Sequence, residues 1–217
     1  MYLYGYMLQN GIGVSANNKK AAHYLKIAAD KGHTVSMLYY SLLLLNYDCN
    51  RKEAARYCKM GADKGDADSM NNYGFMLNHG VGVAVNENEA ARYYKMAADR
   101  GNIKAMYNYG LMLSRDEGVA VNKKEAARYY KMGADEGDAN SMNNYGFMLD
   151  HGLGVAVNKK EAARYYKMAA DRGIIKAMHN YSLMLSTGEG VAVNKKEAAR
   201  YFKMAYDKGY SASQYSY

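Results

Sequence analysis

The sequence predicts an all-α protein, a solenoid built from helix–turn–helix repeats. Three observations support this prediction. A ten-residue block, KKEAARYYKM or a close variant of it, returns along the whole chain of 217 residues. The chain contains no proline, and Ala, Lys, Glu and Met in the block favour helix. A glycine closes each repeat, and a fixed period near 36 residues is typical of stacked repeat arrays.

The closing glycines define the domain organisation. They are Gly32, Gly65, Gly101, Gly137, Gly173 and Gly209. We expect one repeat domain over residues 1–217, with units of approximately 1–32, 33–65, 66–101, 102–137, 138–173 and 174–209. Residues 210–217 align with the start of a seventh, incomplete unit. The stretches 66–137 and 138–209 also align without gaps and differ at 14 positions, which indicates a recent duplication.

The unit 102–137 shows how each repeat is expected to fold. Its first helix is predicted over about Ile103–Ser114 and its second after Val121. The expected inward residues of the first helix are Ala105, Met106, Tyr109, Met112 and Leu113, and those of the second are Ala126, Tyr129, Tyr130 and Ala134. Asn122 is an N-cap residue that Glu125 completes as a capping box, and Gly137 suits a left-handed C-cap. Helices of about three turns are marginal alone, so stability must come from neighbouring repeats.

The loops between the paired helices are rich in glycine, as in HGVGVAVN at residues 79–86. No strand precedes these loops and no GK[ST] follows, so the context of a nucleotide-binding loop is missing. We expect the glycines to turn the chain and the two valines of each loop to anchor it on the core.

Composition restricts the function classes. The net charge of +8 suits an acidic partner, but its even distribution argues against nucleic acid. Two cysteines, Cys49 and Cys58, are too few for a disulfide framework or a zinc site, although a single disulfide stays an alternative. No cofactor is expected. The five histidines occupy four different repeat positions and do not converge with a Cys or Asp pair, so we expect a protein that is not an enzyme. No signal peptide or membrane span is visible, which favours a cytoplasmic chain.

These repeats resemble the Sel1-like repeat (SLR) family, a relative of the tetratricopeptide repeats. The matching positions in one unit are Ala105, Gly110, Gly118, Val119, Asn122, Ala126, Tyr129, Tyr130, Ala134 and Gly137. The chain departs from the family pattern at Tyr109, where Leu is usual, and at 46–50, where the G-x-G loop is lost. The resemblance implies a right-handed superhelix of antiparallel helix pairs that serves as an adaptor for protein complexes. The paired cysteines of the cysteine-rich bacterial branch are absent from this sequence.

By this resemblance, the first helices line the concave surface, where a partner protein or peptide would bind. The candidate residues are Asn72, Phe75, His79, Lys104, Asn108, Leu111, Arg115, Asn144, Phe147, His151, Lys176, Asn180 and Leu183. Four of these form a ladder of asparagines, Asn72, Asn108, Asn144 and Asn180. Side-chain amides both donate and accept, so a ladder of them can bind the backbone of an extended peptide. The competing interpretation is that these asparagines form hydrogen bonds across the helix pair.

Two other functions remain open at this point. The ends of the array lack polar caps, and Tyr215 and Tyr217 add exposed aromatic residues, so the solenoid could self-associate end to end. The second helices also carry a row of arginines, Arg56, Arg92, Arg128, Arg164 and Arg200. This row would meet an anionic membrane or an acidic protein, or would pair with nearby glutamates in solvent.

Overall fold

The structure is a computed structural model that describes residues 1–48 and 50–210. Over this part of the chain it contains twelve α-helices and no strand, which confirms the all-α prediction. The helices are α1 (Tyr2–Asn10), α2 (Asn18–Asp30), α3 (Thr34–Leu43), α4 (Arg51–Asp63), α5 (Ala67–His79), α6 (Glu87–Ala98), α7 (Ile103–Arg115), α8 (Lys123–Asp135), α9 (Ala139–His151), α10 (Lys159–Asp171), α11 (Ile175–Thr187) and α12 (Lys195–Asp207). A π-helical turn, Leu44–Asp48, follows α3 where the other repeats have a glycine loop.

The helices form two compact units. The N-terminal unit comprises residues 1–105 and 117–119, and the C-terminal unit comprises residues 106–116 and those from 120 onward. In the first, each helix from α1 to α6 packs against the next in chain order. In the second, the same holds from α8 to α12. Successive hairpins within a unit therefore share one interior, as a stacked array requires.

Asparagine caps begin all six second helices, but the expected capping box forms differently. The Asn122 side chain accepts from the Glu125 N–H at 3.0 Å. The Asn122 N–H is satisfied by the carbonyl of Leu113, 2.9 Å away at the end of the first helix. The Glu125 side chain is thus not needed as an acceptor for the Asn122 N–H. It accepts from Arg128 Nε at 3.0 Å instead. Asn17 also caps its helix, accepting from the Lys20 N–H at 2.9 Å, although no glutamate follows it.

The tyrosine that replaces the usual leucine has a packing role. Tyr109 meets Tyr129 edge to face, with ring centroids 4.9 Å apart and planes at 86°. The other described pairs of this kind between paired helices are Tyr4–Tyr24, Tyr40–Tyr57, Tyr73–Tyr93, Tyr145–Tyr165 and Tyr181–Tyr201. Such pairs stabilise by about 0.5–1.5 kcal/mol beyond the area that they bury.

Tyrosine hydroxyls also connect neighbouring repeats. Tyr201 of α12 donates to Asp171 at the end of α10, with 2.5 Å between Oη and Oδ1. Tyr93 of α6 donates to Asp63 of α4 in the same way, at 3.3 Å. Lys167 holds the Asp171 carboxylate from one turn earlier, at 2.7 Å. The second helices α4 and α6, and likewise α10 and α12, are thereby joined by a polar bond.

The arginine row of the second helices is engaged locally. The Arg128 guanidinium lies 4.3 Å from the centre of the Tyr129 ring and pairs with Glu125. Arg164 repeats this arrangement, 4.5 Å from the centre of the Tyr165 ring and 2.9 Å from Glu161. These contacts match the interpretation in which the arginines pair with nearby glutamates.

The loop glycines serve the packing of one repeat on the next. Gly188 ends α11 in the left-handed conformation, with φ 82°. Gly190, two residues on, lies so close to the Lys159 carbonyl at the start of α10 that a β-carbon would overlap it. The expectation for the valines is only half right. Val191 packs against the core, whereas Val193 is 56 % exposed and covers the loop glycine.

One of the two cysteines, Cys58, lies in the part of the chain that the structure describes. Cys49 lies outside the described residues, as do Tyr215 and Tyr217. Cys58 is a free thiol, fully buried, with its sulfur 3.4 Å from the Ser69 carbonyl. Burial raises the pKa of Cys58 to about 12, so the thiol stays protonated and unreactive. None of the helices in the described chain combines the length and apolar character needed to cross a bilayer.

Candidate functional site

The predicted binding residues are distributed over both units. In the N-terminal unit, α5 carries Asn72, which is half-buried, and Phe75, which is 47 % exposed. His79 stacks on the Phe75 ring at 4.1 Å. Lys104 lines a separate pocket of about 380 Å³ in this unit, where Asn102 donates to Asp68 at 2.7 Å. These four predicted residues do not meet in one pocket among those described.

The C-terminal unit brings most of the other predicted residues together in two pockets. The α7–α9 pocket has a volume of about 640 Å³ and is lined by Leu111, Arg115, Asn144, Phe147 and Lys176 of the predicted set. The α9–α11 pocket has a volume of about 520 Å³ and is lined by Phe147, His151, Lys176, Asn180 and Leu183. Phe147 and Lys176 line both, so the pockets adjoin. Asn108 lines neither of them.

The two pockets are copies of one another, displaced by one repeat. The equivalent lining residues, 36 positions apart, are Leu111 and Phe147, Ser114 and Asp150, Arg115 and His151, Lys123 and Lys159, Tyr130 and Tyr166, Asn140 and Lys176, Asn143 and His179, Asn144 and Asn180, Phe147 and Leu183, Met148 and Met184, Leu153 and Glu189, and Ile174 and Tyr210. Four pairs are unchanged between the copies: Lys123 and Lys159, Tyr130 and Tyr166, Asn144 and Asn180, and Met148 and Met184. The remaining positions differ in size and charge.

In the α9–α11 pocket, the chain neutralises its own lysine. The Lys159 ammonium lies 2.5 Å from Asp150 Oδ1 and 2.9 Å from Glu189 Oε2. The hydrogen bonds that the Lys159 ammonium donates to these two carboxylates raise the pKa of Lys159 above its ordinary value. His151 also approaches Asp150, at 3.7 Å.

In the α7–α9 pocket, the equivalent lysine faces different groups. The Lys123 ammonium donates to the main-chain carbonyl of Ser114 at 2.6 Å. Ser114 and Leu153 occupy the positions at which the other pocket has Asp150 and Glu189. Arg115 and Lys176 also line the α7–α9 pocket, and no Asp or Glu is among the described residues that line it.

The asparagine ladder contributes to the framework of the fold. Asn144 accepts from the Asn143 amide at 3.2 Å and is hydrogen-bonded to the Tyr130 phenol. Burial raises the pKa of Tyr130 to about 12, and the hydrogen bonds with Ser114 and Asn144 limit the shift. Asn144 therefore bonds to the second helix of the preceding repeat, whereas the competing interpretation expected a bond across its own helix pair. Asn108 and Asn180 also interact with other groups of the chain.

A neighbouring row of residues was missed by the sequence analysis. Tyr107, Asn143 and His179 each precede a ladder asparagine by one position, and each lines one of the two pockets. Asn143 is 3 % exposed, and its Oδ1 has no hydrogen-bond partner among the described groups. The His179 Nδ1 is in the same situation. The available signal was variation: this position changes from repeat to repeat, whereas the ladder position stays Asn.

Two of the five histidines lie at the α9–α11 pocket. His151 and His179 line the same α9–α11 pocket, although their repeat positions differ, because first helices of consecutive repeats lie side by side. No group of three His, Cys, Asp or Glu suited to a metal ion occurs among the described residues. The site therefore offers apolar surface, cations and amides, which is the chemistry of recognition.

Comparison with known proteins agrees with this architecture. The Sel1 repeat profile matches six stretches, residues 1–33, 37–66, 67–102, 103–138, 139–174 and 175–210. No curated protein matches the chain.

Solved structures resemble the whole chain. The protein c5321, a protective antigen present in uropathogenic Escherichia coli strains and displaying an SLR fold, superposes with a TM-score of 0.91 at 25 % identity. That match covers 98 % of this chain and 46 % of c5321, so the chain spans about half the length of that relative. A Sel1 repeat protein from Oxalobacter formigenes superposes with a TM-score of 0.80 at 26 % identity, covering 94 % of this chain and 83 % of its own. The cysteine-rich protein B of Helicobacter pylori shares the fold, with a TM-score of 0.50 at 19 % identity over 58 % of this chain and 92 % of its own.

Six consecutive repeat matches cover almost all of the sequence, and the structural neighbours carry the same repeat. The chain therefore belongs to the Sel1 repeat family, whose members are generally non-catalytic helical scaffolds for protein interaction.

Proposed function

We propose that this protein is a scaffold that binds an extended segment of a partner protein along the first helices of its C-terminal unit. The observation that carries the proposal is the adjoining pair of pockets on α7, α9 and α11. They share Phe147 and Lys176, so one bound segment could occupy both in succession. Their volumes, about 640 and 520 Å³, are in the range of pockets that hold a few side chains.

The residues of this surface offer two kinds of contact, apolar and polar. Leu111, Phe147 and Leu183 provide apolar contact for side chains of the partner. The row of Tyr107, Asn143 and His179 provides polar groups that change from one repeat to the next. Such variation on a constant framework lets each pocket select a different side chain of an extended ligand.

The duplication in the chain offers a matched test. Phe147 and Phe75 lie in the same local sequence, MNNYGFML, 72 positions apart, and only Phe147 lines the C-terminal pockets. Peptides would be selected from a random phage-displayed library on the full chain, and their affinity measured for Phe147→Ala and Phe75→Ala. We expect Phe147→Ala to weaken binding about tenfold, as for a central interface residue, and Phe75→Ala to have little effect.

Circular dichroism and melting temperature would verify that both variants fold. Equal affinity for the unchanged chain and Phe147→Ala would exclude the C-terminal pockets as the binding surface. An equal loss for both substitutions would contradict a binding surface confined to the C-terminal pockets.

A second candidate function is self-association through the ends of the array. On α12, Phe202 is 50 % exposed and Tyr206 is 70 % exposed, at positions where α10 buries Tyr166 and Ala170. On α1, Tyr4 is 43 % exposed, at the position where α7 buries Tyr109. Apolar groups that internal repeats bury are thus accessible at both ends of the described chain.

Analytical ultracentrifugation of the full chain would test this candidate. If the ends associate, the sedimentation coefficient rises with concentration, and Phe202→Lys suppresses the rise. A monomer at tens of micromolar, with or without the substitution, would rule out end-to-end assembly.

A further inference from the structure

The two copies of the pocket differ in how one lysine is satisfied. Lys159 is held by two carboxylates of its own chain, Asp150 and Glu189. Its equivalent, Lys123, donates to a main-chain carbonyl, and the two carboxylate positions hold Ser114 and Leu153. Each pocket thus has a position for a carboxylate beside this lysine. Only in the α9–α11 pocket do side chains of the protein itself occupy that position.

We propose that the α7–α9 pocket binds an acidic segment of the partner protein. A carboxylate of that segment takes the place beside Lys123 that Asp150 and Glu189 take beside Lys159. This inference rests on the proposed function, and it names the chemistry of the ligand at one of the two pockets.

The charge of the pocket supports an acidic ligand. Arg115, Lys123 and Lys176 bring three positive charges to its lining, where the described residues include no carboxylate. In the α9–α11 pocket, Asp150 and Glu189 pair with Lys159. A charged hydrogen bond between ammonium and carboxylate is about twice as strong as a neutral one. Complementary charge therefore favours an acidic segment at the α7–α9 pocket and gives the other pocket no such preference.

A buried acceptor indicates that the ligand also presents an N–H group. Asn143 is almost fully buried, lines the α7–α9 pocket, and its Oδ1 has no partner among the described groups. A buried acceptor without a donor is unfavourable, so a donor from the ligand would stabilise the complex. The main-chain N–H of an extended peptide supplies such a donor together with the carboxylate.

Apolar lining completes the description of the ligand. Leu111, Phe147 and Leu153 line the same pocket as the three cations. A segment in which Asp or Glu adjoins an apolar residue would satisfy both kinds of group. The phosphates of a nucleic acid would satisfy the cations but would leave this apolar surface without a partner.

The chain itself supplies the variant that tests the proposal. Ser114→Asp with Leu153→Glu installs beside Lys123 the carboxylates that Lys159 already has. The double variant should fold, since the same three side chains coexist one repeat later. Ser114→Asn with Leu153→Gln is the control, because it has nearly the same size without the charge.

The probes are random dodecapeptides displayed on phage and selected on the full chain, then synthesised for titration. We expect the selected peptides to be enriched in Asp and Glu beside an apolar residue. We expect the acidic double variant to lower their affinity at least about tenfold and the neutral control to change it much less. Affinity for the unchanged chain should fall as salt concentration rises.

The outcomes separate the inference from the proposed function. Peptides without carboxylates, or peptides that bind the acidic variant as well as the unchanged chain, would overturn the acidic ligand. If Phe147→Ala still weakens such peptides, the scaffold function stands. If Phe147→Ala has no effect, or no peptide is selected, both proposals fail. A single-stranded oligonucleotide is the competitor. If it displaces the selected peptides from the unchanged chain and does not bind the acidic variant, the cations bind nucleic acid and the proposal is overturned.

Discussion

Gly133 of α8 and Ser141 of α9 fit together only because Gly133 lacks a β-carbon, which would lie 2.5 Å from the Ser141 hydroxyl oxygen. One repeat later, the same two positions hold Ala169 and Ala177, both fully buried. The contact between these repeats thus occurs as glycine with serine and as alanine with alanine. The first repeat combines Ala28 with Ser36, whose hydroxyl lies 2.8 Å from His33 Nδ1.

The first prediction concerns the change of this contact from glycine with serine to alanine with alanine. Gly133→Ala alone should destabilise the protein by about 1 kcal/mol, because overpacking exceeds the gain in helix propensity. Adding Ser141→Ala removes a buried hydroxyl that has no hydrogen-bond partner among the described groups, and should raise stability to or above that of the unchanged chain. Urea denaturation of the two single variants and the double variant measures this coupling. Simple additivity of the two effects would contradict the complementary fit.

The second prediction separates two roles of glycine. Gly190 and Gly173 both have positive φ, 71° and 95°. A β-carbon on Gly190 would overlap the Lys159 main chain, whereas on Gly173 it would meet nothing within 4 Å. Gly173→Ala should therefore lose about 1 kcal/mol from backbone strain alone. Gly190→Ala should lose about 1–3 kcal/mol more, because the repeats must separate. Equal melting temperatures for the two variants would show that the close approach is not needed.

The third prediction concerns Asp116, which has φ 59° and is the only described residue other than glycine with positive φ. Gly80, Gly152 and Gly188 hold the equivalent position in other repeats and end their first helices in the left-handed conformation. Asp116→Gly should stabilise the protein by about 1 kcal/mol. Gly152→Asp is the matched reverse change and should destabilise it by a similar amount. A loss of stability with Asp116→Gly would indicate that the aspartate side chain is needed.

The fourth prediction is a pH dependence at His179, which stacks on Tyr210 at 4.3 Å. Burial lowers the pKa of His179 below its ordinary value near 6.5. The unfolded chain then binds the proton more readily, so stability is complete above about pH 6.5 and declines as the pH falls below it. His179→Asn, which copies Asn143, should remove this part of the decline. Between pH 7 and pH 5, the melting temperature of the unchanged chain should fall further than that of His179→Asn. Parallel curves for the two proteins would contradict the prediction.

The sequence was sufficient to predict the fold, because each repeat restates the same local rules. Asn122 at an N-cap, Gly137 after a helix and the stripe from Ala105 to Leu113 each predict their own element, and the structure confirms all three. Because the same pattern of caps and apolar positions occurs in six repeats, it does not arise by chance. The reason for Tyr109 could not be predicted, since its partner Tyr129 belongs to the other helix of the pair.

The candidate site was predicted only in part, because its chemistry depends on contacts between repeats. Leu111 and Phe147 follow from helical spacing on one helix. The neutralisation of Lys159 does not, because Asp150 and Glu189 approach it from the preceding helix and from the following loop. Asn143 was missed for a similar reason: the surface shared by two adjacent helices includes residues beyond the outermost stripe of either one.

The bonds from Tyr201 to Asp171 and from Tyr93 to Asp63 have a mechanical consequence. Each joins one second helix to the previous one at the rim, while the apolar interior joins the same hairpins at depth. A pulling force on one terminus would load the bond at the outermost hairpin first. Hairpins would then detach singly, each releasing a similar contour length, so the protein would extend in steps under tension.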